Sequence, residues 1–283
     1  MELSASVSIQ RTESGLEYLN VDGPRCSAKI FLQGAQLTEF TPVGKGNLIW
    51  VSEDEDYLEG KAVRGGIPIC WPWFGVHSAP DWPIHGVARK LMWRAEEVNE
   101  SDEVIVIKLS LPMTLVDETY WPHKSKLEVE FHLTEQLKVS LTNTNLGDAS
   151  FTLTQALHTY FPTPNIEATT VDGLQGAKFI EFGEGPFDQS EVVGFARETD
   201  MVYTQAAPVQ IIRTPDGNIA VGRESSTSCV LWNPWIEKSK RLSNFRDDEY
   251  KTMLCLEAAN VMDDAATVEP GQSHTLTTTL RWV

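Results

Sequence analysis

The 283-residue chain is predicted to be an all-β protein built from antiparallel strands. Apolar and polar residues alternate through Glu103–Leu111, Lys126–Thr134 and Leu137–Asn143, a pattern typical of strands with one buried face. Turn signals separate the short runs, as in the sequence TPDGN at 214–218. Helical periodicity is scarce. Many short strands with turns between them indicate a sandwich or a barrel.

Further strand-like runs extend this pattern over the rest of the chain. They are Val7–Gln10, Leu16–Val21, Ala28–Leu32, Leu48–Val51, Phe151–Leu157, Val209–Arg213, Ile219–Arg223, Cys229–Trp232, Met253–Ala258 and Leu276–Trp282. Only Ala88–Glu97 and Ile236–Arg246 show helical periodicity, so a few short helices are expected. No repeat or linker interrupts residues 1–283, and we expect a single domain. A division near Gly147 is the alternative, but the strands continue across it.

Charge and cysteine content narrow the classes of function. The chain has 23 Lys and Arg against 40 Asp and Glu, a net charge of −17. Because an acidic surface repels nucleic acids and anionic membranes, we expect neither as a partner. Residues 1–6 lack the basic and apolar regions of a secretion signal, and the four cysteines form no C-x-x-C pair. We therefore expect a cytoplasmic protein with free thiols, and we expect it to be a monomer.

A loop rich in glycine and tryptophan, Arg64–Gly75, does not have the composition of a core strand. Its twelve residues include three glycines, two prolines and two tryptophans. This composition predicts a stiff loop with exposed aromatic planes, and such planes beside hydrogen-bonding groups suit sugars. Trp73 is therefore a candidate sugar-binding residue. The alternative is that Trp71 and Trp73 close one end of a barrel.

The segment Ile84–Arg89 places a histidine and an arginine four residues apart, beside a glycine. His85 and Arg89 can therefore face one cleft together. A second histidine, His77, raises the question of a metal site. No third ligand stands at a helical or strand spacing from these histidines, so no metal is expected.

A histidine at one strand end and a glutamate within another strand are the candidate catalytic residues. His158 ends the small and polar face of its strand, and Glu257 lies inside an apolar run. Glutamate is rarely buried without a partner, so a structural ion pair is the alternative for Glu257. For His158 the alternative is a satisfied structural histidine. A converging His and Glu would form a general acid and base pair.

The remaining sequence patterns exclude several kinds of catalysis. The chain contains no nucleophile elbow, P-loop or dinucleotide fingerprint. Proton transfer without a covalent intermediate or a cofactor is the simplest chemistry that remains.

As a set, the motifs resemble those of the glucose-6-phosphate 1-epimerases, a branch of the aldose 1-epimerase superfamily. The matching runs are RGGIPICWPWFG, HGVAR, ALHTYF, ETDMVY, WNPWIEKSKRLSNFRDDEY and LCLEAAN. They extend from about Phe31 to the C-terminus in the family's order. The resemblance implies an antiparallel β-supersandwich of the galactose mutarotase-like kind.

The resemblance also implies roles for individual residues. His158 is similar to the family's catalytic acid, and Glu257 to its catalytic base. The expected substrate-binding residues are Arg64, Arg89, His85, Asp200 and Trp73. Two positions depart from the family pattern. Ile84 stands where some members carry glutamine, and the segment 176–186 is altered, which leaves the preferred hexose open.

The implied reaction is interconversion of the α and β anomers of an aldohexose 6-phosphate, above all glucose 6-phosphate. It would use acid and base catalysis of ring opening and closure, without a cofactor. A mutarotase of unphosphorylated aldoses is the first alternative. The second is a non-catalytic β-sandwich that binds or senses a carbohydrate.

Overall fold

The computed structural model describes residues 3–283, which form mainly antiparallel β-sheet. Of the N-terminal residues 1–6, in which no secretion signal is expected, the first two lie outside the described residues. The strands, in chain order, are β1 (Val7–Arg11), β2 (Glu17–Asp22), β3 (Cys26–Phe31), β4 (Gln36–Pro42), β5 (Ile69–Cys70), β6 (Arg94–Glu100), β7 (Ile105–Leu111), β8 (Ser125–Leu133), β9 (Leu137–Asn145), β10 (Phe151–Leu153), β11 (Gln155–Leu157), β12 (Tyr160–Pro162), β13 (Thr170–Asp172), β14 (Lys178–Glu181), β15 (Glu184–Asp188), β16 (Val193–Gly194), β17 (Thr199–Thr204), β18 (Val209–Thr214), β19 (Gly217–Glu224), β20 (Ser228–Asn233), β21 (Met253–Asn260), β22 (Ala266–Val268) and β23 (Ser273–Trp282).

Helical structure is short. The α-helix α1 covers Trp235–Ser239, and single turns of 3-10 helix cover Ala88–Lys90, Met113–Leu115, Ile166–Ala168, Glu249–Thr252 and Met262–Asp264. None of the helices formed by residues 3–283 has the length and apolar character needed to cross a membrane.

Two large sheets dominate the architecture. The nine-stranded sheet has the order β16-β13-β18-β19-β23-β9-β8-β7-β6. The eight-stranded sheet has the order β15-β14-β17-β20-β21-β11-β5, and β12 also pairs with β21. A four-stranded sheet, β1-β2-β3-β4, and the pair β10-β22 accompany them. The prediction of an all-β antiparallel protein with few short helices is confirmed.

Strict alternation explains the best-predicted strands. In β8 and β9 every second side chain is buried, and the register pairs Val129 with Leu141 and Phe131 with Val139. Full burial of each such side chain contributes about 1.5–3 kcal/mol to stability. Most of the buried apolar residues form one cluster that extends from Val7 to Leu280 along the chain.

A chain of buried amide groups links the two large sheets. Trp71 Nε1 donates to Asn143 Oδ1 at 2.5 Å, and Asn143 Nδ2 donates to Gln155 Oε1 at 2.7 Å. Gln155 Nε2 then donates to Asn260 Oδ1 at 2.9 Å. Because buried amides are costly unless they are paired, these bonds favour one alignment of β9, β11 and β21. Residues next to β11 and within β21 form the site described below.

Two strand predictions are wrong in detail. Leu48–Val51, of which the first three residues are buried, crosses between sheets, with Leu48 N bonded to Phe40 O and Trp50 N to Tyr160 O. The run Phe151–Leu157 is divided at Thr154, whose hydroxyl accepts a hydrogen bond from Phe74 N at 2.9 Å. As a result β10 pairs with β22, whereas β11 joins the eight-stranded sheet.

Both helix predictions overstate the helical length. The segment predicted at Ile236–Arg246 contains only α1, which ends at Ser239, and Asn244 has a left-handed φ of +52°. The segment Ala88–Glu97 begins with a 3-10 turn and then enters β6, which pairs with β7. Sheet pairing therefore overrides the weak helical periodicity of this segment.

Candidate active site

One face of the eight-stranded sheet carries the candidate catalytic residues. Residues directly opposite each other in antiparallel strands project from the same face. The register places Asp200, Trp232, Cys255 and Tyr160 in one row across β17, β20, β21 and β12. Glu257 lies two residues after Cys255 in β21 and so projects from the same face.

Glu257 lies in a strand whose eight residues are all buried, and its side chain is 1% exposed. Small and apolar residues surround it on this face of the sheet; they include Cys70, Ala156, Val230 and Ala259. Burial raises the pKa of Glu257 well above its ordinary value of 4.5, and the carboxylate of Asp200 raises it further. The positive charge of Arg89 lowers that pKa. The site therefore favours the protonated form of the Glu257 carboxyl more than water does.

His158 follows β11 and meets Glu257 directly. Its Nε2 lies 3.4 Å from Glu257 Oε1, and its backbone N–H donates to Pro68 O at 3.0 Å. The ring stacks on Tyr160 with centroids 5.0 Å apart and an interplanar angle of 15°. His158 Nδ1 and Glu257 Oε2 are buried and have no hydrogen-bond partner among residues 3–283.

The charge state of the His158 ring follows from its surroundings. Burial lowers the pKa of His158 well below 6.5, and His85 and Arg89 lower it further. Burial therefore favours a neutral imidazole beside a protonated Glu257 carboxyl. This buried pair holds one carboxyl proton that can be exchanged between an acid and a base.

His85 faces His158 edge-on, with ring centroids 5.5 Å apart. Its Nδ1 accepts a hydrogen bond from Gly75 N at 3.1 Å. Burial, followed by the charges of Arg89, Arg64 and Lys238, lowers the pKa of His85 to about 3. The neutral ring therefore carries its hydrogen on Nε2, a tautomer assigned from the bond to Gly75. His85 can thus act as a fixed hydrogen-bond donor.

Gly86 allows this part of the site to form. Its φ is +70°, and a Cβ atom at this position would lie 2.0 Å from Trp71 O. Val87 N donates to the same carbonyl at 2.8 Å. Glycine is required here because the segment with His85 and Arg89 packs directly against the backbone of Trp71.

Two half-buried arginines extend toward the pair of His158 and Glu257. Arg64 donates from Nε to Ser243 O at 3.3 Å. Burial raises the pKa of Tyr160, and the positive charge of Arg64 opposes this rise. Arg89 donates from Nη2 to Ile84 O at 2.7 Å, and its buried Nε has no partner among residues 3–283. Both cations lower the pKa of His158. The structure therefore brings Arg64 and Arg89 close to the predicted catalytic residues.

Asp200 lies on the same face of the sheet and has a cation beside it. Burial raises the pKa of Asp200, and Lys238 opposes this shift. Lys238 Nζ is 3.5 Å from Asp200 Oδ2 and 3.2 Å from Glu198 Oε1. The altered segment 176–186 contains β14 and much of β15, and Phe182 N donates to Asp200 O at 3.4 Å. This segment therefore borders Asp200.

Trp73 lies in a separate aromatic cluster. Its ring packs 5.0 Å from His77, 5.0 Å from Trp82 and 5.8 Å from Tyr120, between centroids, and its Nε1 donates to Pro83 O. Trp71 is fully buried. For these two tryptophans the structural interpretation describes the observed packing better than an exposed sugar-stacking face.

The aromatic rings that border His158 and His85 are instead Tyr160, Trp232 and Phe74. Sequence reasoning did not select them as site residues, although all three lie within the motifs that carry the family resemblance. Among residues 3–283, no group of three or more His, Cys, Asp or Glu side chains is arranged to hold a metal ion.

The antiparallel β-sheet architecture, with a buried His and Glu pair on one face of the eight-stranded sheet, is the fold of the mutarotase-like proteins. The family model "Aldose 1-epimerase" matches residues 18–281. The chain therefore belongs to the aldose 1-epimerase family and is an isomerase of the epimerase type.

Individual relatives agree with this family. A protein of Escherichia coli (strain K12) with the name "Putative glucose-6-phosphate 1-epimerase" is 30% identical over 279 residues, which is 97% of this chain and 93% of the relative. A protein of Cenchrus ciliaris with the same name is 33% identical, over 95% of this chain and 85% of the relative. A solved structure described as a "putative mutarotase" from Salmonella typhimurium superposes with a TM-score of 0.92 and 29% identity. The superposition covers 100% of this chain and 95% of the chain in that structure.

Proposed function

We propose that the protein interconverts the α and β anomers of an aldohexose 6-phosphate, with glucose 6-phosphate as the main substrate. The observation that carries this proposal is the buried contact of His158 and Glu257 beside Arg64 and Arg89. The pair supplies an acid and a base, and the arginines supply planar, charge-assisted contacts to a phosphate. The names of the Escherichia coli and Cenchrus ciliaris relatives support the same substrate.

The proposed reaction begins with the opening of the sugar ring. The Glu257 carboxylate removes the proton from the anomeric hydroxyl, and His158 protonates the ring oxygen as the C1–O5 bond breaks. The C1–C2 bond of the free aldehyde then rotates. Ring closure on the other carbonyl face returns both protons, so the two residues exchange roles. Each proton transfer contributes about 10²–10⁴-fold to the rate.

The proton arrangement in the substrate-free site suits a reversible reaction. Burial disfavours the charged form of each group, which favours a proton on Glu257 and a neutral His158. The proposed roles in ring opening require this proton on His158. The 3.4 Å separation of His158 Nε2 and Glu257 Oε1 allows its transfer after a small movement of either side chain.

The surrounding groups fit a sugar in contact with this pair. In the proposal, Asp200 accepts hydrogen bonds from sugar hydroxyls and His85 Nε2 donates one. The Trp232 ring lies in the same row as Asp200 and borders His158, and in the proposal the pyranose lies against it. Arg64 and Arg89 bind the phosphate.

The test is acceleration of mutarotation of freshly dissolved α-glucose 6-phosphate, measured beside α-glucose and α-galactose. We expect the wild type to accelerate mainly the phosphorylated sugar, and His158→Asn and Glu257→Gln each to lose at least about 10²-fold. His132 and Glu130 form an exposed His–Glu contact, and His132→Asn and Glu130→Gln are therefore matched controls.

Two results would contradict the proposal in different ways. Acceleration of only the free sugars would assign a mutarotase of unphosphorylated aldoses. Acceleration of none of the three sugars would leave a carbohydrate-binding protein.

A further inference from the structure

We propose that Lys238 selects the phosphorylated substrate by acting as the third cation of the phosphate-binding site, beside Arg64 and Arg89. This inference rests on the proposed function and names a residue that determines the specificity of the same site. Lys238 belongs to the last turn of α1.

The position of Lys238 is fixed by the elements that carry the site. Asn233 Nδ2 donates to Tyr250 O at 2.8 Å and to Met253 O at 2.9 Å, and Asn233 Oδ1 accepts from Trp235 N at 2.9 Å. These bonds tie the start of α1 to the start of β21, the strand that contains Glu257. The helix is therefore held in a fixed relation to the catalytic pair.

The ammonium group of Lys238 lies at the edge of the sugar-binding face. Lys238 Nζ is 5.7 Å from the centroid of the Trp232 ring. The same ring lies 6.3 Å from the ring of His158, between centroids. A sugar that rests on Trp232 with its anomeric carbon near His158 therefore has a substituent within reach of Lys238.

The two carboxylates beside Lys238 do not use its full capacity for hydrogen bonds. Its distances to Glu198 (3.2 Å) and Asp200 (3.5 Å) are longer than the 2.6 Å of the exposed Arg11–Glu17 pair. An ammonium group has three N–H donors, so Lys238 retains capacity for an anionic oxygen. After burial, the positive charges of Arg89, Arg64 and Lys238 all lower the pKa of His85. All three cations therefore act on the same ring.

The local charges explain why a third cation is needed. The protein has a net charge of −17, and Glu198 and Asp200 lie beside Lys238. Both carboxylates would repel a phosphate dianion unless a cation stands between them and the ligand. Lysine binds phosphate as a point charge, whereas the arginines bind it through a planar fork.

A different role for Lys238 makes a different prediction. If Lys238 only keeps Asp200 ionised, its loss weakens the binding of sugar hydroxyls and leaves the affinity for free phosphate unchanged. Two constants separate the roles. They are the KM for glucose 6-phosphate and the inhibition constant of inorganic phosphate, which has no sugar hydroxyls.

The experiment compares Lys238→Ala, Lys238→Arg and the control Lys240→Ala with the wild type. Lys240 lies two residues away and pairs with exposed Glu237. We expect Lys238→Ala to raise both constants at least tenfold, Lys238→Arg to restore most of the affinity, and Lys240→Ala to change neither. Glu198→Gln should lower the KM, because it removes a negative charge beside the phosphate. Thermal unfolding checks that each variant is folded.

Three results would overturn the assignment of Lys238. They are an unchanged KM in Lys238→Ala, a raised KM with an unchanged phosphate constant, and an equal effect of Lys240→Ala. Failure of the wild type to accelerate mutarotation of glucose 6-phosphate would instead overturn the proposed function, before any variant is compared.

Discussion

At the scale of single residues, Glu257 is the position where stability and chemistry conflict. Its carboxyl is 1% exposed, and its Oε2 has no hydrogen-bond partner among residues 3–283. A buried polar atom without a partner costs about 1–3 kcal/mol. A residue held at such a cost in the middle of a well-packed strand is typical of a functional site.

This conflict predicts that Glu257→Gln stabilises the protein, and increasingly so as the pH rises. The folded protein has a raised Glu257 pKa, so below the unfolded value of about 4.5 both states hold the proton. Above that pH the unfolded chain releases the proton while the folded protein keeps it, and wild-type stability falls by about 1.4 kcal/mol per pH unit until the folded pKa is reached. Glutamine does not titrate and avoids this loss.

Thermal unfolding of the wild type and Glu257→Gln at pH 5 and pH 8 measures the effect. The variant should gain more in Tm at pH 8 than at pH 5, although it loses activity. Glu130→Gln, an exposed substitution, is the control and should show no such trend. An advantage of Glu257→Gln that shrinks as the pH rises would contradict the raised pKa.

The sequence allows prediction of some site residues and not others, and the difference has a physical cause. His158 and Glu257 stand out because an ionisable group in an apolar strand is locally anomalous. Trp73 and Trp232 look alike in sequence. Which ring borders the site depends on strand register and loop packing, which no local pattern contains. Lys238 is one lysine among several near α1, and its role depends on contacts with distant Glu198 and Asp200.

At the scale of structural elements, the site depends on the contact between the segments 71–75 and 85–89. Gly86 brings His85 and Arg89 against the backbone of Trp71. The left-handed φ of +70° alone would cost alanine about 1–2 kcal/mol, and the overlap with Trp71 O adds to this cost. The two segments must then separate or distort.

We therefore expect Gly86→Ala to lower stability by about 2–4 kcal/mol and to reduce kcat/KM even where the variant remains folded. Gly44→Ala is a matched control, since Gly44 has a φ of +72° and, apart from its neighbours in the chain, no atoms among residues 3–283 lie within 4 Å of the position that its Cβ would take. It should show only the smaller backbone cost. Equal losses of Tm in both variants would show that the contact with Trp71 is unimportant.

Whether a strand could be predicted depends on how its two faces are buried. The strands β7, β8 and β9 each have one face in the core, so alternation reveals them. The strand β15 is exposed along its whole length at the sheet edge and has no apolar period to detect. Leu48–Val51 shows the opposite error, because a buried connection has the composition of a strand without its pairing.

At the scale of the whole molecule, the global charge opposes the local cations. A net charge of −17 repels a sugar phosphate at long range, whereas Arg64, Arg89 and Lys238 attract it at short range. Salt acts unequally on these two effects. The Debye length falls from about 30 Å at 0.01 M to about 8 Å at 0.15 M, which screens the distant charges and leaves contacts of a few ångströms largely intact.

The value of kcat/KM for glucose 6-phosphate should consequently rise, by about twofold, as sodium chloride increases over this range of roughly 0.01 to 0.15 M. Steady-state kinetics across a salt series measures it, with free glucose as the uncharged control whose kinetics should stay flat. Within the series, an initial rise followed by a fall at higher salt would mark the point at which the short-range contacts are also screened. A steady fall from the lowest salt would mean that the local cations determine the field at all distances, and that the acidic surface has no influence on substrate capture.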